Sequence, residues 1–558
     1  MAFAQSKVAS DMPASTPSGQ VDVIVQYIGP QFAKLTPQVS SSVAVRHRFQ
    51  KIPAVHMTVP VALIPTLAAD PHVAYISPDR IMRGTLDITT QSVNVNPLWQ
   101  SGWDGSGIGI AVIDSGVASK RDLYTADGRH SRVVFSESFV PGHDATDQYG
   151  HGTHVAGILA ANGLASTGHA FTHTFKGVAP NADIVSLRVL DANGNGQVSE
   201  VIAAIEEAIA LKDKYNIRVM NLSLGHAVFE SYMKDPLCQA VEAAWRAGIT
   251  VVVAAGNMGR DNTLGTDGYA TINSPGNDPY VITVGAMNAN HTPWRSDDRI
   301  ASYSSKGPSL IDHIVKPDLV APGNSVVSLL ASPNCTLATE YPSTLIDKST
   351  YEVSASGVSA DYFRLSGTSM ATPVVSATAA LMLQKDPSLT PDQVKARLMK
   401  TASKSFARYS QATDELTANV YASQQDLFEV GAGYLEVESA MSNTDRAGFQ
   451  ALSPKAVYDP KTQTVYLESS GQVNASLSRQ GVIWGDGVIW GDGVIWGDAI
   501  VVGQGVIWGD GVIWGDGVIW GDGVIWGDVA RNGFGVIWGD SVPNEGRMQA
   551  AAADDGDK

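Results

Sequence analysis

Between residues 109 and 286, short apolar segments alternate with stretches that have the hydrophobic period of an α-helix. The apolar segments are GIAVID, DIVSLRVL, RVMNLSL, ITVVVAA and YVITVGA, and VSEVIAAIEEAIALKDK at 198–214 is one of the helical stretches. Apolar strands separated by helices predict an α/β fold, in which a doubly wound parallel sheet carries helices on both faces. In such a sheet, functional side chains are expected at the carboxyl ends of the strands.

Three segments carry side chains that suit nucleophilic catalysis. GIAVIDSG contains Asp114 at the end of an apolar strand, HGTHVAG begins an apolar helix with His151, and GTSMATP contains Ser369. Serine is a poor nucleophile unless an imidazole takes its proton, and a buried carboxylate fixes the imidazole tautomer and stabilises its charged form. The three residues therefore predict a catalytic triad. In the alternative interpretation, the aspartate caps a turn and the other two residues only begin helices.

The order Asp, His, Ser along the chain differs from the orders in chymotrypsin and in the α/β-hydrolases. With these motifs, the chain resembles the subtilisin-like serine proteases from about residue 100 to about residue 440. Further segments match the family in family order: KGVAPNADIVSLRVLD, NLSLG, AAGN, SPGNDPYVITVGA and KPDLVAPG. The resemblance implies a serine endopeptidase that acts on protein or peptide substrates and requires no cofactor for its chemistry.

The resemblance also implies an oxyanion hole. Asn257 follows the strand-like ITVVVAA, and its side-chain amide would donate to the oxyanion. The main-chain N–H of Ser369 would be the second donor, at the N-terminal end of the helix that GTSMATP begins.

Substrate binding is the next implication of the resemblance. Ser223, Leu224 and Gly225 match the family strand that pairs with an extended peptide. Met258 and Gly268 match positions that line and open the S1 pocket, so we expect a preference for large apolar P1 residues. The remaining substrate-binding candidates are Ala254, Ala255 and Gly256.

Some residues depart from the family pattern or allow two interpretations. The insertion STGHAFTHTF at 166–175 replaces the calcium loop of many relatives, so structural calcium is an expectation without a location. His154 reads as a packing histidine; the alternative is a zinc pair with His151, but a third ligand and the glutamate of an HExxH site are absent. Cys238 and Cys335 could pair, although two cysteines cannot form a disulfide framework.

The N-terminal region differs from the rest in charge. Residues 1–83 carry seven Lys and Arg against four Asp, whereas the whole chain has a net charge of −17. Residues 21–83 resemble the inhibitory propeptide of subtilisin-like proteases, an α+β ferredoxin-like prodomain, so we expect an intramolecular inhibitor that is removed by self-cleavage between about Arg83 and Val93. An unrelated accessory domain of like topology is the alternative. Residues 1–20 read as a linker or a leader remnant whose signal peptide has been trimmed.

The amino-acid composition indicates which partners and which cellular location to expect for this chain. The apolar fraction is 44% and the charged fraction 17%, which is typical of a soluble, core-forming chain. Its acidity argues against nucleic acid as a partner. No segment reaches the ~18 uninterrupted apolar residues of a membrane helix. We expect a secreted or extracellular protein, with cell-surface association as a further expectation.

The C-terminal region contains GVIWGD eight times between 481 and 540, with two interruptions of six residues that keep the frame. This period favours a β-solenoid or a related stacked ribbon over independent hairpins, with a flexible tail as the alternative. The eight tryptophans suggest a polysaccharide or a surface as ligand. The domain prediction is a catalytic domain at 84–445, a β-hairpin linker at 446–480, the repeats at 481–540 and an acidic tail at 541–558.

Two functions from other classes compete with the peptidase. One is a catalytically silent protein that binds surfaces or polysaccharide through its tryptophan repeats, and the other is a serine hydrolase that does not act on peptides. Trapping of an acyl-enzyme by a serine-directed phosphonate would exclude the first, and a comparison of peptide with ester substrates would separate the second.

Overall fold

The chain divides into two compact units, residues 1–83 and 84–558. The computed structural model describes residues 7–8, 12, 19–29, 43–48, 53–78, 86–263, 265–405, 410–414, 419–423, 425–448, 450–459, 464–468, 488–490, 494–496, 500–501 and 548–550. Most of the predicted leader remnant at 1–20 and most of the repeat frame lie outside these residues. Within the described residues, no helix has the length and apolar character needed to cross a bilayer.

The first unit is built on an antiparallel sheet. Its strands and helix are β1 (Gln20–Tyr27), β2 (Ala44–Arg48), β3 (Ala54–Pro60), α1 (Ile64–Ala69) and β4 (Val73–Pro78). The strand order is β2-β3-β1-β4. Alternate residues of β1 are buried, among them Val23 and Val25, and they pack with Met57, Val59 and Ile76. Period-two burial on one face is what an antiparallel sheet with one covered face requires.

The second unit contains the remaining elements. Its helices are α2 (Leu86–Ser92), α3 (Asn96–Gln100), α4 (His151–Ala160), α5 (Val198–Ala210), α6 (Pro236–Arg246), α7 (Thr336–Glu340), α8 (Thr368–Lys385), α9 (Pro391–Thr401), α10 (Leu427–Val430) and α11 (Val437–Ser442). The strands of its central sheet are β5 (Gly109–Asp114), β6 (Val133–Ser138), β7 (Asp183–Arg188), β9 (Ile217–Leu222), β11 (Thr250–Ala254), β12 (Ile282–Asn288), β13 (Arg299–Ile300) and β14 (Leu319–Pro322).

The central sheet has the order β13-β12-β11-β9-β5-β7-β6, with β14 paired to β12. Every pairing in it is parallel except β12 with β13. Strand β5 is buried along its whole length, so both faces of the sheet are covered. Helices α4 and α8 pack on each other, as do α5 and α6, and all four contact the sheet. The prediction of an α/β fold around a largely parallel sheet is therefore confirmed.

The arrangement of neighbouring strands positions the candidate site. Strands β5, β9 and β11 are adjacent and parallel. Their carboxyl ends are Asp114, Leu222 and Ala254, so the chain leaves three neighbouring strands along one edge of the sheet. Ser223 follows the second of these strands, and Asn257 lies three residues beyond the third.

Smaller β elements complete the unit. They are β8 (Asn195–Gly196), β10 (Leu224–Gly225), β15 (Val326–Leu329), β16 (Leu345–Asp347), β17 (Val358–Leu365), β18 (Ser410–Thr413), β19 (Val420–Ser423), β20 (Lys455–Asp459), β21 (Thr464–Glu468), β22 (Val488–Trp490), β23 (Val494–Trp496), β24 (Ile500–Val501) and β25 (Met548–Ala550). Strands β20 and β21 pair as a hairpin in the segment where the sequence predicts one.

Two copies of the hexapeptide repeat contribute β22 and β23. These strands pair antiparallel, with Val488 opposite Trp496 and Trp490 opposite Val494. Stacked turns of a solenoid would run parallel, whereas the described strands of these two copies pair antiparallel.

Candidate active site

Asp114 and His151 form a buried hydrogen-bonded pair. Oδ1 of Asp114 lies 2.7 Å from Nδ1 of His151, and both side chains are fully buried. The same oxygen accepts the main-chain N–H of Ser115 at 2.8 Å. If Nδ1 carries the proton and donates to the carboxylate, Nε2 is the ring nitrogen that can accept one. Within the described residues, Nε2 has no hydrogen-bond partner and is buried.

A glycine allows α4 to approach the end of β5 this closely. A Cβ on Gly152 would lie 2.2 Å from the carbonyl oxygen of Gly116 and 3.1 Å from Cβ of Asp114. Any side chain at this position would therefore push the first turn of α4 away from the carboxylate. The glycine of HGTHVAG thus permits the contact between Asp114 and His151, in addition to its place in the motif.

Asp147 is a residue of this region that the sequence did not single out. It is buried and accepts hydrogen bonds from Oγ of Ser115 at 2.9 Å, from N of Gly150 at 2.7 Å and from N of Thr153 at 2.9 Å. Oγ of Ser115 in turn accepts the N–H of Gly152 at 2.9 Å. Burial raises the pKa of Asp147. This network joins the end of β5 to the first turn of α4, and its sequence signal is an acidic residue placed before a helix start.

Ser369 is the second residue of α8 and is fully buried. Its Oγ donates to the main-chain oxygen of Ser223 at 3.0 Å, and Oγ of Ser223 donates to the main-chain oxygen of Ser369 at 2.9 Å. The structure therefore brings the candidate nucleophile to the edge of the candidate peptide-binding strand. In this conformation its hydroxyl donates to Ser223 and not to Nε2 of His151. Catalytic hydrogen bonds are often long or unformed in sites that hold no substrate.

A hydrogen-bond chain supports Ser223 from behind. Nδ2 of Asn221 donates to Oγ of Ser223 at 2.9 Å, and Oγ of Ser376 donates to Oδ1 of Asn221 at 2.8 Å. Ser376 lies two turns after Ser369 on α8, so the chain returns to the helix from which the nucleophile projects. All of these side chains are buried, which makes each unsatisfied partner costly.

Asn257 is oriented by Thr368, the residue before Ser369. Oδ1 of Asn257 accepts the main-chain N–H of Thr368 at 2.9 Å and its hydroxyl at 3.0 Å. Because an amide oxygen accepts hydrogen bonds and an NH₂ group does not, these two donors identify the oxygen of Asn257. Its NH₂ group therefore points to the opposite side. Oγ1 of Thr368 also accepts the N–H of Gly256 at 3.2 Å, which fixes the loop after β11 to the start of α8.

The substrate-binding candidates divide into two groups. Ala254, Ala255, Gly225 and Gly256 lie at the buried carboxyl ends of strands, next to Ser223 and Leu224, whereas the side chain of Met258 is exposed. A Cβ on Gly225 or Gly256 would lie within about 3 Å of the side chain of Asn273, at 3.1 Å and 3.0 Å. The side chain between these two glycines is therefore an asparagine, which the sequence did not single out. The three atoms nearest to a Cβ on Gly268 all belong to the backbone of Gly259, so the structure places Gly268 against this glycine.

His154 is a packing residue. It is fully buried, its Nε2 lies 3.0 Å from the carbonyl oxygen of Val326, and its ring meets Phe363 edge-on at 5.1 Å. Burial, with a smaller effect of the neighbouring His151, lowers the pKa of His154 to about 3, so it is neutral in ordinary buffers. Within the part of the chain that the structure describes, no group of three or more His, Cys, Asp or Glu could hold a metal ion. Calcium stays an expectation without a location.

The two cysteines are separate buried thiols. Burial raises the pKa of both thiols. Cys335 lies against the start of α4, because a Cβ on Gly150 would be 2.6 Å from its Sγ.

The chain is similar in sequence to known peptidases. A family model described as the subtilase family of S8 peptidases matches residues 105–433. The chain is 36% identical to serine protease AprX of Bacillus subtilis strain 168 over 358 residues, which covers 63% of this chain and 74% of the relative. It is 34% identical to subtilisin E of the same organism over 366 residues, covering 64% and 77%. It is 30% identical to a thermostable alkaline protease of Halalkalibacterium halodurans over 394 residues, covering 70% and 89%.

Proposed function

This chain belongs to the subtilase family and is a subtilisin-like serine endopeptidase, and we propose that it cuts peptide bonds through Asp114, His151 and Ser369. The observation that carries the assignment is the buried 2.7 Å contact between Asp114 and His151, with Ser369 at the edge of the neighbouring strand. Subtilases need no cofactor for catalysis, so the chemistry is assigned to side chains and main-chain N–H groups alone.

In the proposed reaction, Oγ of Ser369 attacks the scissile carbonyl carbon while Nε2 of His151 takes its proton. The charge that forms on the imidazole is stabilised by the neighbouring side chain of Asp114. The carbonyl electrons move to oxygen, and the resulting oxyanion is bound by the side-chain NH₂ of Asn257 and the N–H of Ser369. His151 then gives the proton to the leaving amine as the C–N bond breaks. Water, deprotonated by His151, hydrolyses the acyl-enzyme and frees the serine.

Substrate enters this scheme as an extended strand on Leu224 and Gly225. We propose that the S1 pocket lies between Gly225 and Gly256, with Asn273 at its base and Met258 at its exposed mouth. Walls of backbone and methyl groups favour apolar P1 side chains, whereas a cationic P1 would find a neutral amide and no partner for its charge.

We also propose that residues 21–83 act as an intramolecular inhibitor and that the chain removes them itself. The supporting observation is a sheet with its own buried core in this unit. The predicted cleavage window between Arg83 and Val93 includes the helix Leu86–Ser92, which would have to unwind because proteases bind extended chains. Bonds before Leu86 are therefore the favoured sites. Secretion is part of the same proposal, because propeptide removal suits a protease that becomes active after export.

A labelling experiment tests the proposed function. One portion of the purified protein and of its Ser369→Ala variant is incubated alone, a second portion of each is treated with a serine-directed fluorophosphonate, and intact masses are recorded over time. The unchanged chain should gain one phosphonate adduct on Ser369 and should lose its N-terminal unit, while the variant should do neither. Labelling of a different serine would reject the nucleophile assignment. Equal trimming of the variant, made in a protease-free system, would reject self-processing.

A further inference from the structure

The C-terminal strand β25 lies between two strands that border the candidate site. Met548–Ala550 pairs antiparallel with Leu224–Gly225 on one side and with Asn195–Gly196 on the other. Gln549 is opposite Gly225 on the first side and opposite Asn195 on the second. The segment is therefore the middle strand of a three-stranded sheet whose outer strands come from the catalytic unit.

This position is close to the candidate nucleophile. The strand on Leu224–Gly225 begins directly after Ser223, whose main-chain oxygen accepts the hydroxyl of Ser369 at 3.0 Å. The register sets Gln549 opposite Gly225 and Ala550 opposite Leu224, so β25 runs toward Ser223 from its amino to its carboxyl end. A peptide whose acyl side approaches Ser369 would run in the same direction.

The outer strands can accept a partner of this kind. Each contains only two residues, and without a middle strand their facing N–H and C=O groups would form open edges. Addition of an extended strand to such an edge is a general mode of peptide recognition, in which main-chain hydrogen bonds supply affinity and many side chains are tolerated. The sequence RMQAAAA at 547–553 suits this mode, because it has no proline and its side chains beyond Gln549 are small.

We propose that residues 548–550 are an intramolecular ligand of the peptide-binding groove and compete there with substrate. The proposal rests on the proposed function, since it takes β10 as the strand that binds substrate. A tethered ligand has an effective concentration of about 1 mM, so a segment with an intrinsic Kd of about 0.1–0.3 mM raises the apparent Kd of a competing peptide about four- to elevenfold. Weak binding therefore suffices for a measurable effect.

The test measures occupancy of the groove in Ser369→Ala protein from which residues 1–83 are removed, so that nothing is cleaved and the proposed N-terminal inhibitor cannot compete; a full chain here means residues 84–558. A fluorescein-labelled synthetic peptide with the sequence of residues 543–558 is the probe, and its Kd is measured by anisotropy. Five proteins are compared: the full chain, a chain that ends at Glu545, a chain that ends at Ala553, and full chains with Gln549→Pro or Gln549→Ala. Proline removes a main-chain N–H and restricts the backbone, whereas alanine leaves the strand able to pair.

Loss of the segment should expose the groove. We expect the chain that ends at Glu545 and the Gln549→Pro chain to bind the probe about four- to elevenfold more tightly than the other three proteins. A probe that carries the Gln549→Pro change itself should bind poorly to all five. Equal probe affinities among the five proteins, or no binding of the probe to any of them, would overturn the proposal. The Gln549→Pro chain keeps the test valid if truncation disturbs folding.

A separate assay distinguishes failure of this proposal from failure of the proposed function. Chains that retain Ser369 are assayed with a tetrapeptide p-nitroanilide. If the unchanged chain cleaves it while the probe affinities are equal, only the groove proposal fails. If no chain cleaves any peptide while the probe affinities differ as expected, the proposed function fails and the segment still occupies the groove.

Discussion

Ser369 and Ser223 exchange hydrogen bonds, each hydroxyl donating to the main-chain oxygen of the other residue at 3.0 and 2.9 Å. The nucleophilic hydroxyl is thus held on the strand that we assign to substrate binding. It must turn toward Nε2 of His151 before attack. A peptide N–H that donates to the oxygen of Ser223 would compete for this acceptor and free the hydroxyl for catalysis.

Replacement of the nucleophile should abolish peptide cleavage without unfolding the protein. In Ser369→Ala, His151 has no hydroxyl to activate, and the loss of kcat for the equivalent change in subtilisin is of order 10⁶. Turnover of a tetrapeptide p-nitroanilide, with circular dichroism to establish folding, is the measurement. Ser376→Ala is the matched control, because this buried serine of the same helix bonds Asn221 and is not part of the proposed chemistry. Its kcat should stay within about tenfold of normal, while its stability falls by about 1 kcal/mol. A folded Ser369→Ala protein with near-normal turnover would reject the assignment.

The hydroxyl of Thr368 should matter for kcat through Asn257. It donates to Oδ1 of Asn257 at 3.0 Å and accepts from Gly256, so Thr368→Val loses both contacts while the main-chain N–H still donates. We expect kcat to fall about tenfold with KM nearly unchanged, because one of the two bonds that orient the amide is lost, at roughly 1–1.5 kcal/mol. Thr368→Ser keeps the hydroxyl and should recover most of the activity. If KM rises and kcat does not change, Thr368 contributes to substrate binding instead of orienting Asn257.

The base of the proposed S1 pocket should set the preferred size of P1. Asn273→Ala removes an amide from between Gly225 and Gly256 and leaves more room there. We expect kcat/KM for a Phe P1 substrate to rise relative to an Ala P1 substrate, by about fourfold for each additional methylene that becomes buried. Met258→Ala, at an exposed position, is the control and should change the ratio less. Profiling of a substrate set that differs only at P1 makes the comparison, and an unchanged ratio would remove Asn273 from the pocket.

The sequence predicted those parts of the fold and site that depend on local pattern. Alternating apolar strands and helices were enough to predict the parallel sheet. Asp114 was expected at a strand end because the last residue of an apolar run can be read from the sequence. The places of Asn273 and Asp147 in the site were not predicted. Each residue lies in a polar loop, where only the packing of distant segments shows what the side chain faces. The antiparallel pairing of two repeat copies was also missed, because the six-residue period was interpreted as the repeat of a stacked structure, and a period alone does not determine strand direction.

The glycine after His151 should be irreplaceable. In Gly152→Ala, the new methyl would lie 2.2 Å from the oxygen of Gly116 and 3.1 Å from Cβ of Asp114, so α4 must shift away from β5. We expect destabilisation of about 1–3 kcal/mol and a loss of kcat of at least about 100-fold, because misplacement by ~1 Å is enough for that. Urea unfolding and peptide turnover are measured together. Ala156→Gly, on the same helix, is the control for a change of one methyl. A stable and fully active Gly152→Ala protein would contradict the close approach.

Stability should depend on pH through Asp298, which is buried near Tyr434 and Arg295. Burial, with a smaller effect of the adjacent Asp297, raises the pKa of Asp298 to about 7, whereas an unfolded aspartate titrates near 3.9. Between these two values the folded state binds a proton that the unfolded state has released. The free energy of unfolding therefore falls as pH rises from about 4 to about 7, and the loss is complete above pH 7.

Asp298→Asn removes this titration and keeps the shape of the side chain. We expect the variant to show a flatter dependence between pH 5 and pH 8, and to be more stable than the unchanged chain at pH 8 by about 1–3 kcal/mol. Urea unfolding at both pH values, in the Ser369→Ala background to prevent autolysis, gives the comparison. Asp297→Asn, at an exposed neighbour, should have a smaller effect. Parallel pH profiles for Asp298→Asn and the unchanged chain would show that Asp298 is ionised in the folded protein across this range, and the assignment of its pKa would be wrong.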